Sequence, residues 1–306
     1  MTLWTLLAEQ PAYFLTLAMV LGLLVGSFLN VLVYRLPIML GRQWQREAQE
    51  VLGLPLARHE RFDLCLPASR CPHCAHQIRA WENIPVLSYL ALRGRCSACK
   101  ARISPRYPLV EIASALLSLV VAWRFGASAE ALLALPLTWC LLALSLIDAD
   151  HQLLPDVLVL PMLWLGLIVN AFGLYVPLAD ALWGAVAGYL SLWTVYWVFK
   201  LVTGKEGMGY GDFKLMALIG AWGGWQVLPL TLLLSSVVGA LVGVCLLRLR
   251  RHALSTAIPF GLIWRLRGGL LCSGVMKYTP LTCNCLDTDG HCSLYPLDSR
   301  PDRRHW

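Results

Sequence analysis

Charged residues are scarce in this sequence, and their scarcity excludes an ordinary soluble domain. Of 306 residues, 14% are charged, 58% are hydrophobic, and the mean hydropathy is +0.62. A soluble globular domain carries about 25% charged residues. The apolar residues gather in runs of about 17–22, the length of a helix that crosses about 30 Å of hydrocarbon. The sequence therefore predicts an all-α polytopic membrane protein with about seven to eight transmembrane helices.

Basic residues are missing from alternate loops, and this pattern predicts an orientation. Hydrophobic spans are predicted at 12–34, 108–124, 130–147, 157–175, 179–199, 213–225 and 227–247. No Lys or Arg precedes Arg35, so the first span lacks the basic start of a signal peptide and is predicted to be retained. Cations concentrate in 35–107, 200–212 and 248–252, whereas 173–182 and 223–230 have none. Because cytoplasmic loops carry the excess of Lys and Arg, we expect the N-terminus outside and segment 35–107 in the cytoplasm.

The formal charge of +7 lies mostly in these loops. We interpret it as a sign of orientation, so membrane lipid is the expected partner and nucleic acid is not.

Four cysteines in segment 35–107 have the spacing of a metal site. Cys71 and Cys74 form one CxxC pair, and Cys96 and Cys99 form another. Each pair presents two thiolates from one tight turn, and two such turns complete the tetrahedron that Zn²⁺ prefers. A reducing cytoplasm favours a metal over disulfides. We therefore predict a structural zinc site, the alternatives being free thiols, a redox pair, or substitution of a ligand by His73 or His76.

Aspartates occur at the ends of two predicted spans that the orientation places on the same membrane face. Asp148 lies in the last turn of the third span, and Asp212 opens the sixth behind a Gly-rich turn. Acidic residues at the membrane border are candidates for function. Two carboxyl groups a few ångströms apart share a proton and can act as general base and general acid in peptide hydrolysis. This pattern makes Asp148 and Asp212 candidates for such a pair, although nothing in the sequence pattern shows that they meet.

Other interpretations of the acidic residues remain open at this point. Asp156 and Asp212 are also suited to capping a helix N-terminus, and Asp150 is compatible with a solvated position. A transporter could use border aspartates as a cation or proton relay, and a zinc-stabilised scaffold subunit without catalysis is a third interpretation.

The motifs in their order resemble one known family, the type IV prepilin leader peptidase/N-methyltransferases, which are GxGD-type aspartic membrane peptidases. The resemblance runs from about residue 13 to Gly261. It rests on Gly26-Ser-Phe-Leu-Asn30-Val, the four cysteines, Arg106-Tyr-Pro-Leu-Val-Glu111, Asp148-Ala-Asp150, Leu154-Pro155-Asp156 and Gly207-Met-Gly209-Tyr-Gly211-Asp212-Phe-Lys214.

The resemblance implies a function in the bacterial inner membrane, with a periplasmic N-terminus. Asp148 and Asp212 would cleave the short basic leader of type IV prepilins and of the pseudopilins of type II secretion, on the cytoplasmic side. A second activity would N-methylate the new N-terminal residue with S-adenosyl-L-methionine as co-substrate. The family connects the cysteine insertion with methylation, and Gly94 is the residue that we select for the methyltransferase site.

The sequence thus predicts four regions. Residues 1–34 form the first transmembrane helix, 35–107 the cytoplasmic four-cysteine zinc domain, 108–261 the transmembrane catalytic bundle, and 262–306 an atypical polar tail. Members of the family usually have a further hydrophobic span after the Pro259-Phe260-Gly261 element. Our preferred explanation for its absence is a change of reading frame, and the alternative is a disordered cytoplasmic tail.

Overall fold

The computed structural model describes residues 9–55, 61–205 and 208–249. Within them lie seven long helices: α1 (Pro11–Val51), α3 (Arg106–Phe125), α4 (Ala129–His151), α5 (Asp156–Ala171), α6 (Leu178–Thr203), α7 (Tyr210–Gly223) and α8 (Val227–Leu249). The insertion between α1 and α3 holds a short 3-10 helix (Ala80–Asn83) and α2 (Leu87–Ala91). The described part contains no β-strand, so the all-α prediction is confirmed. The predicted tail 262–306 lies outside the described residues.

The helices have the length and composition of membrane spans. Four of those described, α1, α3, α4 and α6, are long and apolar enough to cross a bilayer, and α5 is a shorter apolar helix. Large apolar side chains point outward along them, for example Leu116, Trp123 and Trp183, which are 55%, 76% and 65% exposed. Such a surface would be unfavourable in water and is suited to lipid. The prediction of a multi-pass membrane protein is confirmed.

Helix α1 is longer than the span predicted at 12–34. It has 41 residues and continues to Val51, a length of about 60 Å, or twice the hydrocarbon core. Its buried positions end at Leu36, and most side chains after Arg42 are exposed. The change from apolar to charged residues at Arg35 therefore does not mark the end of the helix.

The described bundle consists of two groups of helices. In the first, α1 packs against α3 and α4, and in the second, α7 packs against α6 and α5. Glycines permit the closest approach in each group, because a Cβ atom on Gly26 would lie 2.7 Å from the Cα of Glu111, and one on Gly220 would overlap the backbone of Gly184. Small residues have the same use in many membrane bundles.

One end of the bundle collects the loops that carry the acidic motifs. The start of α3 meets the end of α4 through an ion pair between Arg106 and Asp150, and the start of α5 meets the start of α7 through one between Asp156 and Lys214. Both aspartates predicted to be catalytic lie at this end.

Candidate active site and metal centre

Asp148 lies in the last turn of α4, as the sequence predicts. The helix ends at His151, and Gln152 adopts a left-handed conformation with φ of 52° while its N–H donates to the carbonyl oxygen of Asp148 at 2.9 Å. The Asp148 side chain is half-buried. Exposed carbonyl groups at the end of a helix disfavour an anion, so this position needs a reason other than helix stability.

Asp212 lies in the first turn of α7, behind the N-cap residue Gly209. Its carboxylate would be 3.9 Å from a Cβ atom built on Gly209, so the glycine leaves one side of the acid open. Gly211 lets the turn pack against Leu154 of the loop that follows α4, where a Cβ atom would come within 2.8 Å of that side chain. The Gly-rich turn thus brings the start of α7 against the chain segment next to Asp148.

The structure brings the two aspartates together. Both side chains are half-buried, and the carboxyl group of Asp212 is close enough to act on Asp148 through charge repulsion. Neighbouring like-charged carboxyl groups in a partly desolvated site favour a shared proton. The arrangement can therefore supply one general base and one general acid to a bound peptide group.

The other two aspartates of this end have cationic partners. Both terminal guanidinium nitrogens of Arg106 donate to Asp150, at 2.9 and 2.5 Å, and the Lys214 amine contacts both oxygens of Asp156, at 2.8 and 2.7 Å. The predicted capping role of Asp156 is wrong, because Pro155 occupies the N-cap position and the Asp156 side chain faces Lys214. Asp212 is not the cap of its helix either.

The four cysteines form one cluster. Their sulfur atoms all lie within 4.8 Å of one another. The Sγ atoms of Cys71 and Cys99 are 3.8 Å apart, and a tetrahedron with Zn–S bonds of about 2.3 Å requires sulfur separations of about 3.8 Å. The donor set and its geometry therefore fit a metal ion, and all four tetrahedral positions would be filled by protein.

Two similar turns build this cluster. In each, the residue after the second cysteine, Ala75 or Lys100, has a positive φ and donates its N–H to the carbonyl of the first cysteine. Backbone N–H groups of Cys99 and Ala98 lower the pKa of Cys96 to about 6, which favours the thiolate that metals bind. His76 faces Glu82 at 3.5 Å and lies outside the sulfur cluster.

Gly94 lies beside an open groove of about 400 Å³ on the insertion, lined by Tyr89, Arg93, Gly94, Arg95, Arg102, Ile103, Ser104 and Pro105. Gly94 is buried with φ of 66°, and a Cβ atom there would come within 2.9 Å of the Tyr89 hydroxyl. Only glycine combines this backbone conformation with this approach of the ring. The glycine therefore fixes one wall of the groove.

Two family models match the chain. The model of the bacterial peptidase A24 N-terminal domain covers residues 20–125, and that of the type IV leader peptidase family covers 135–244. A prepilin leader peptidase/N-methyltransferase of Pseudomonas putida is 80% identical over 261 residues, 85% of this chain and 91% of the relative. This chain belongs to the type IV leader peptidase family.

Two further prepilin leader peptidase/N-methyltransferases agree with this membership. That of Stutzerimonas stutzeri is 68% identical over 83% of this chain and 89% of its own length, and that of Pseudomonas aeruginosa is 65% identical over 85% and 90%. No solved structure matches the chain. The resemblance predicted from the motifs is confirmed, and the transporter alternative has no support among these relatives.

Sequence reasoning missed the charged partners at the candidate active end, the end of the bundle that carries Asp148 and Asp212. Arg106 and Lys214 belong to quoted motifs, yet they received no role because their partners are 44 and 58 residues away in the chain. It also left Glu111 without a role. Glu111 is 8% exposed and accepts a hydrogen bond of 2.7 Å from the Val86 N–H, which connects α3 to the insertion. The sequence did contain a signal for Glu111, because it is a charged residue inside the apolar run 108–124.

Proposed function

We propose that this chain cleaves the short basic leader from type IV prepilins and pseudopilins with Asp148 and Asp212, and then N-methylates the new N-terminal residue. The observation that carries the proposal is the meeting of these two acids at one end of the bundle, although they come from helices in different groups. Membership in the leader peptidase family supports the same activity, and relatives of up to 80% identity are named for both reactions.

The chemistry follows from the shared proton. One carboxylate removes a proton from water, the water oxygen adds to the scissile carbonyl carbon, and the other carboxyl group protonates the carbonyl oxygen. Collapse of the tetrahedral intermediate breaks the C–N bond as the amine takes up a proton. Because the two acids titrate as a pair, the roles are assigned to the pair and not to either residue.

The peptidase proposal is tested by Asp148→Asn and Asp212→Asn, each measured by cleavage of a co-expressed prepilin. We expect each variant to lose cleavage while its membrane abundance is unchanged, since Asn keeps the shape and cannot exchange the proton. The matched control is Asp180→Asn, because Asp180 lies near the start of α6, where Gln226 donates to it at 3.0 Å. Normal processing by either active-end variant would refute the pairing.

The orientation belongs to this proposal. The N-terminus would be periplasmic, with the four-cysteine insertion and the two aspartates on the cytoplasmic side of the bacterial inner membrane. The cations of segment 35–107 support it, because positive residues remain in the cytoplasm. The hydrophobic helix of the substrate would then lie in the bilayer while its basic leader stays in the cytoplasm, so the cleavage site reaches the level of Asp148 and Asp212.

Zn²⁺ is the metal that we assign to Cys71, Cys74, Cys96 and Cys99. Four thiolates and a closed tetrahedron are typical of a structural zinc. Few large apolar side chains are buried in the part of the insertion that the structure describes. The metal would therefore supply much of the folding energy of the insertion and take no part in peptide hydrolysis.

The methylation site is proposed at Gly94 and its groove. S-adenosyl-L-methionine would supply the methyl group, and Tyr89 offers an aromatic surface beside the space that Gly94 leaves open. Gly94→Ala should abolish methylation and leave cleavage intact, because its Cβ atom displaces the Tyr89 ring.

Gly53→Ala is the matched control for Gly94→Ala. Gly53 has nearly the same φ, 64°, but nothing within 4 Å of an added Cβ atom. Both variants carry the same backbone strain, and only one alters the groove. The measurement is the N-terminal mass of the processed pilin, and loss of methylation in both variants would show that strain in the insertion, and not the groove, is responsible.

A further inference from the structure

Each proposed catalytic aspartate lies two residues before a member of an ion pair. Asp148 precedes Asp150, which pairs with Arg106, and Asp212 precedes Lys214, which pairs with Asp156. Both pairs bind through two contacts, at 2.9 and 2.5 Å in the first and 2.8 and 2.7 Å in the second. The two parallel contacts of the Arg106 guanidinium fix direction as well as distance, whereas Lys214 holds both oxygens of Asp156 around one charged nitrogen.

These pairs are poorly suited to stabilising the fold. The side chains of Arg106 and Asp150 are 46% and 30% exposed, and those of Lys214 and Asp156 are 31% and 50% exposed. Exposed ion pairs typically contribute about 0–1 kcal/mol. Stability alone therefore does not account for these two ion pairs, and their position beside Asp148 and Asp212 indicates another role.

The position matters because α4 and α7 make little direct backbone contact within the described chain. Helix α4 packs chiefly on α1 and α3, and α7 on α6 and α5. Deeper in the bundle they meet through an apolar cluster that includes Leu144, Val159 and Leu218. At the active end, the ion pairs connect α4 to α3 and α7 to α5, one pair in each group of helices.

We propose that Arg106–Asp150 and Asp156–Lys214 are positioning pairs that set the separation of the Asp148 and Asp212 carboxyl groups. The inference rests on the proposed peptidase function. Each pair fixes the helix end that carries one catalytic acid. Each cation also neutralises a neighbouring carboxylate, so that Asp148 and Asp212 respond chiefly to one another.

Charge exchange in the full-length protein tests the second pair. Asp156→Lys and Lys214→Asp alone should each lower kcat for prepilin cleavage by about 100-fold, the cost of misplacing reacting groups by about 1 Å. KM should change less than about twofold, and the double exchange should recover most of kcat, because the coupling of the pair is restored. If a charge reversal prevents folding, Lys214→Met takes its place, because methionine keeps the hydrocarbon stem and removes only the charge. This variant should show the same loss of kcat.

The first pair is tested in the same way with Arg106→Asp and Asp150→Arg, and the control is Arg61→Ala, which removes an ion pair with Asp63 in the insertion. The pH–rate profile of each folded single variant should shift, because the separation of the two acids changes, and the profile of each exchanged double variant should return to that of the unaltered protein. A purely structural role would leave the profile of the folded single variants unchanged.

Three outcomes overturn the inference. The inference fails if the single variants keep full kcat, if the double exchange is as inactive as the singles, or if the losses fall on KM, which would assign these residues to leader binding. Asp148→Asn and Asp212→Asn are measured alongside. If these two are active, the peptidase pairing fails as well, whereas if they are inactive and the pair variants are normal, only the positioning role fails.

Discussion

Replacing Gly220 by alanine should separate α6 from α7 and thereby move Asp212. A Cβ atom at Gly220 would overlap the carbonyl group of Gly184 and lie 3.0 Å from the Ala185 nitrogen. All of these neighbours are backbone atoms, so no side chain can turn aside. Because nonbonded heavy atoms prefer about 3.5 Å, the two helices must part by about 1 Å.

Gly41→Ala isolates the packing cost of this substitution. Gly41 lies within α1 and has nothing within 4 Å of an added Cβ atom. Both variants gain the helix propensity of alanine, about 1 kcal/mol, and only Gly220→Ala pays for overpacking, about 3 kcal/mol at the upper end of its usual range. We expect a net loss of about 2 kcal/mol for Gly220→Ala, from these two terms, and a gain of about 1 kcal/mol for Gly41→Ala.

The assay has two parts, thermal stability of the detergent-purified protein and prepilin cleavage per folded molecule. Gly220→Ala should lower Tm by about 4–8 °C. Its cleavage should fall by up to about 100-fold, because a displacement of about 1 Å misplaces Asp212. If Gly220→Ala matches Gly41→Ala in both measurements, the close approach of Gly184 and Gly220 does not set the position of α7.

Two further predictions concern the insertion. Purified protein should contain about one zinc per chain, measured by mass spectrometry. Cys96→Ser combined with Cys99→Ser should remove the zinc and make the insertion sensitive to protease. An equal zinc content in this double variant would argue against a four-thiolate site. Glu111→Ala should destabilise the protein by about 1–3 kcal/mol, because the Val86 N–H and the Ser27 hydroxyl lose their buried acceptor. The control is Glu50→Ala, because Glu50 is exposed. Its free energy of unfolding should lie within about 0.5 kcal/mol of that of the unaltered protein in thermal unfolding. A similarly small effect of Glu111→Ala would show that this contact does not hold the insertion.

The positions of the helices could be predicted because the bilayer imposes a simple rule on the sequence. Every backbone group in lipid must be satisfied within the segment, so an apolar run of sufficient length becomes a helix. The end of α1 could not be predicted in this way, since the helix continues from Arg35 to Val51, where hydropathy no longer reports its course. The cysteine cluster was predictable for a local reason, because each CxxC turn presents its two thiols by itself.

The contacts of the active end could not be predicted because they depend on which helices are neighbours. The placement of Asp148 and Asp212 at helix ends followed from hydropathy, but their meeting requires α5 and α6 to return the chain to the same end of the bundle. The capping prediction for Asp156 failed for the same reason. A local rule favoured the cap, and the tertiary structure placed Lys214, 58 residues later, within 2.7 Å.

The two proposed catalytic acids come from different groups of helices, so their separation depends on how the groups are placed relative to one another. Asp148 belongs to the group of α1, α3 and α4, and Asp212 to that of α5, α6 and α7. A small relative movement of the groups changes the separation of the two carboxyl groups, on which the sharing of a proton depends. Gly184 and Gly220 hold α7 from one side, and the two ion pairs hold the helix ends from the other. Substitutions at either place should therefore reduce the rate of cleavage through the same variable, the separation of Asp148 and Asp212, and their effects should not be additive.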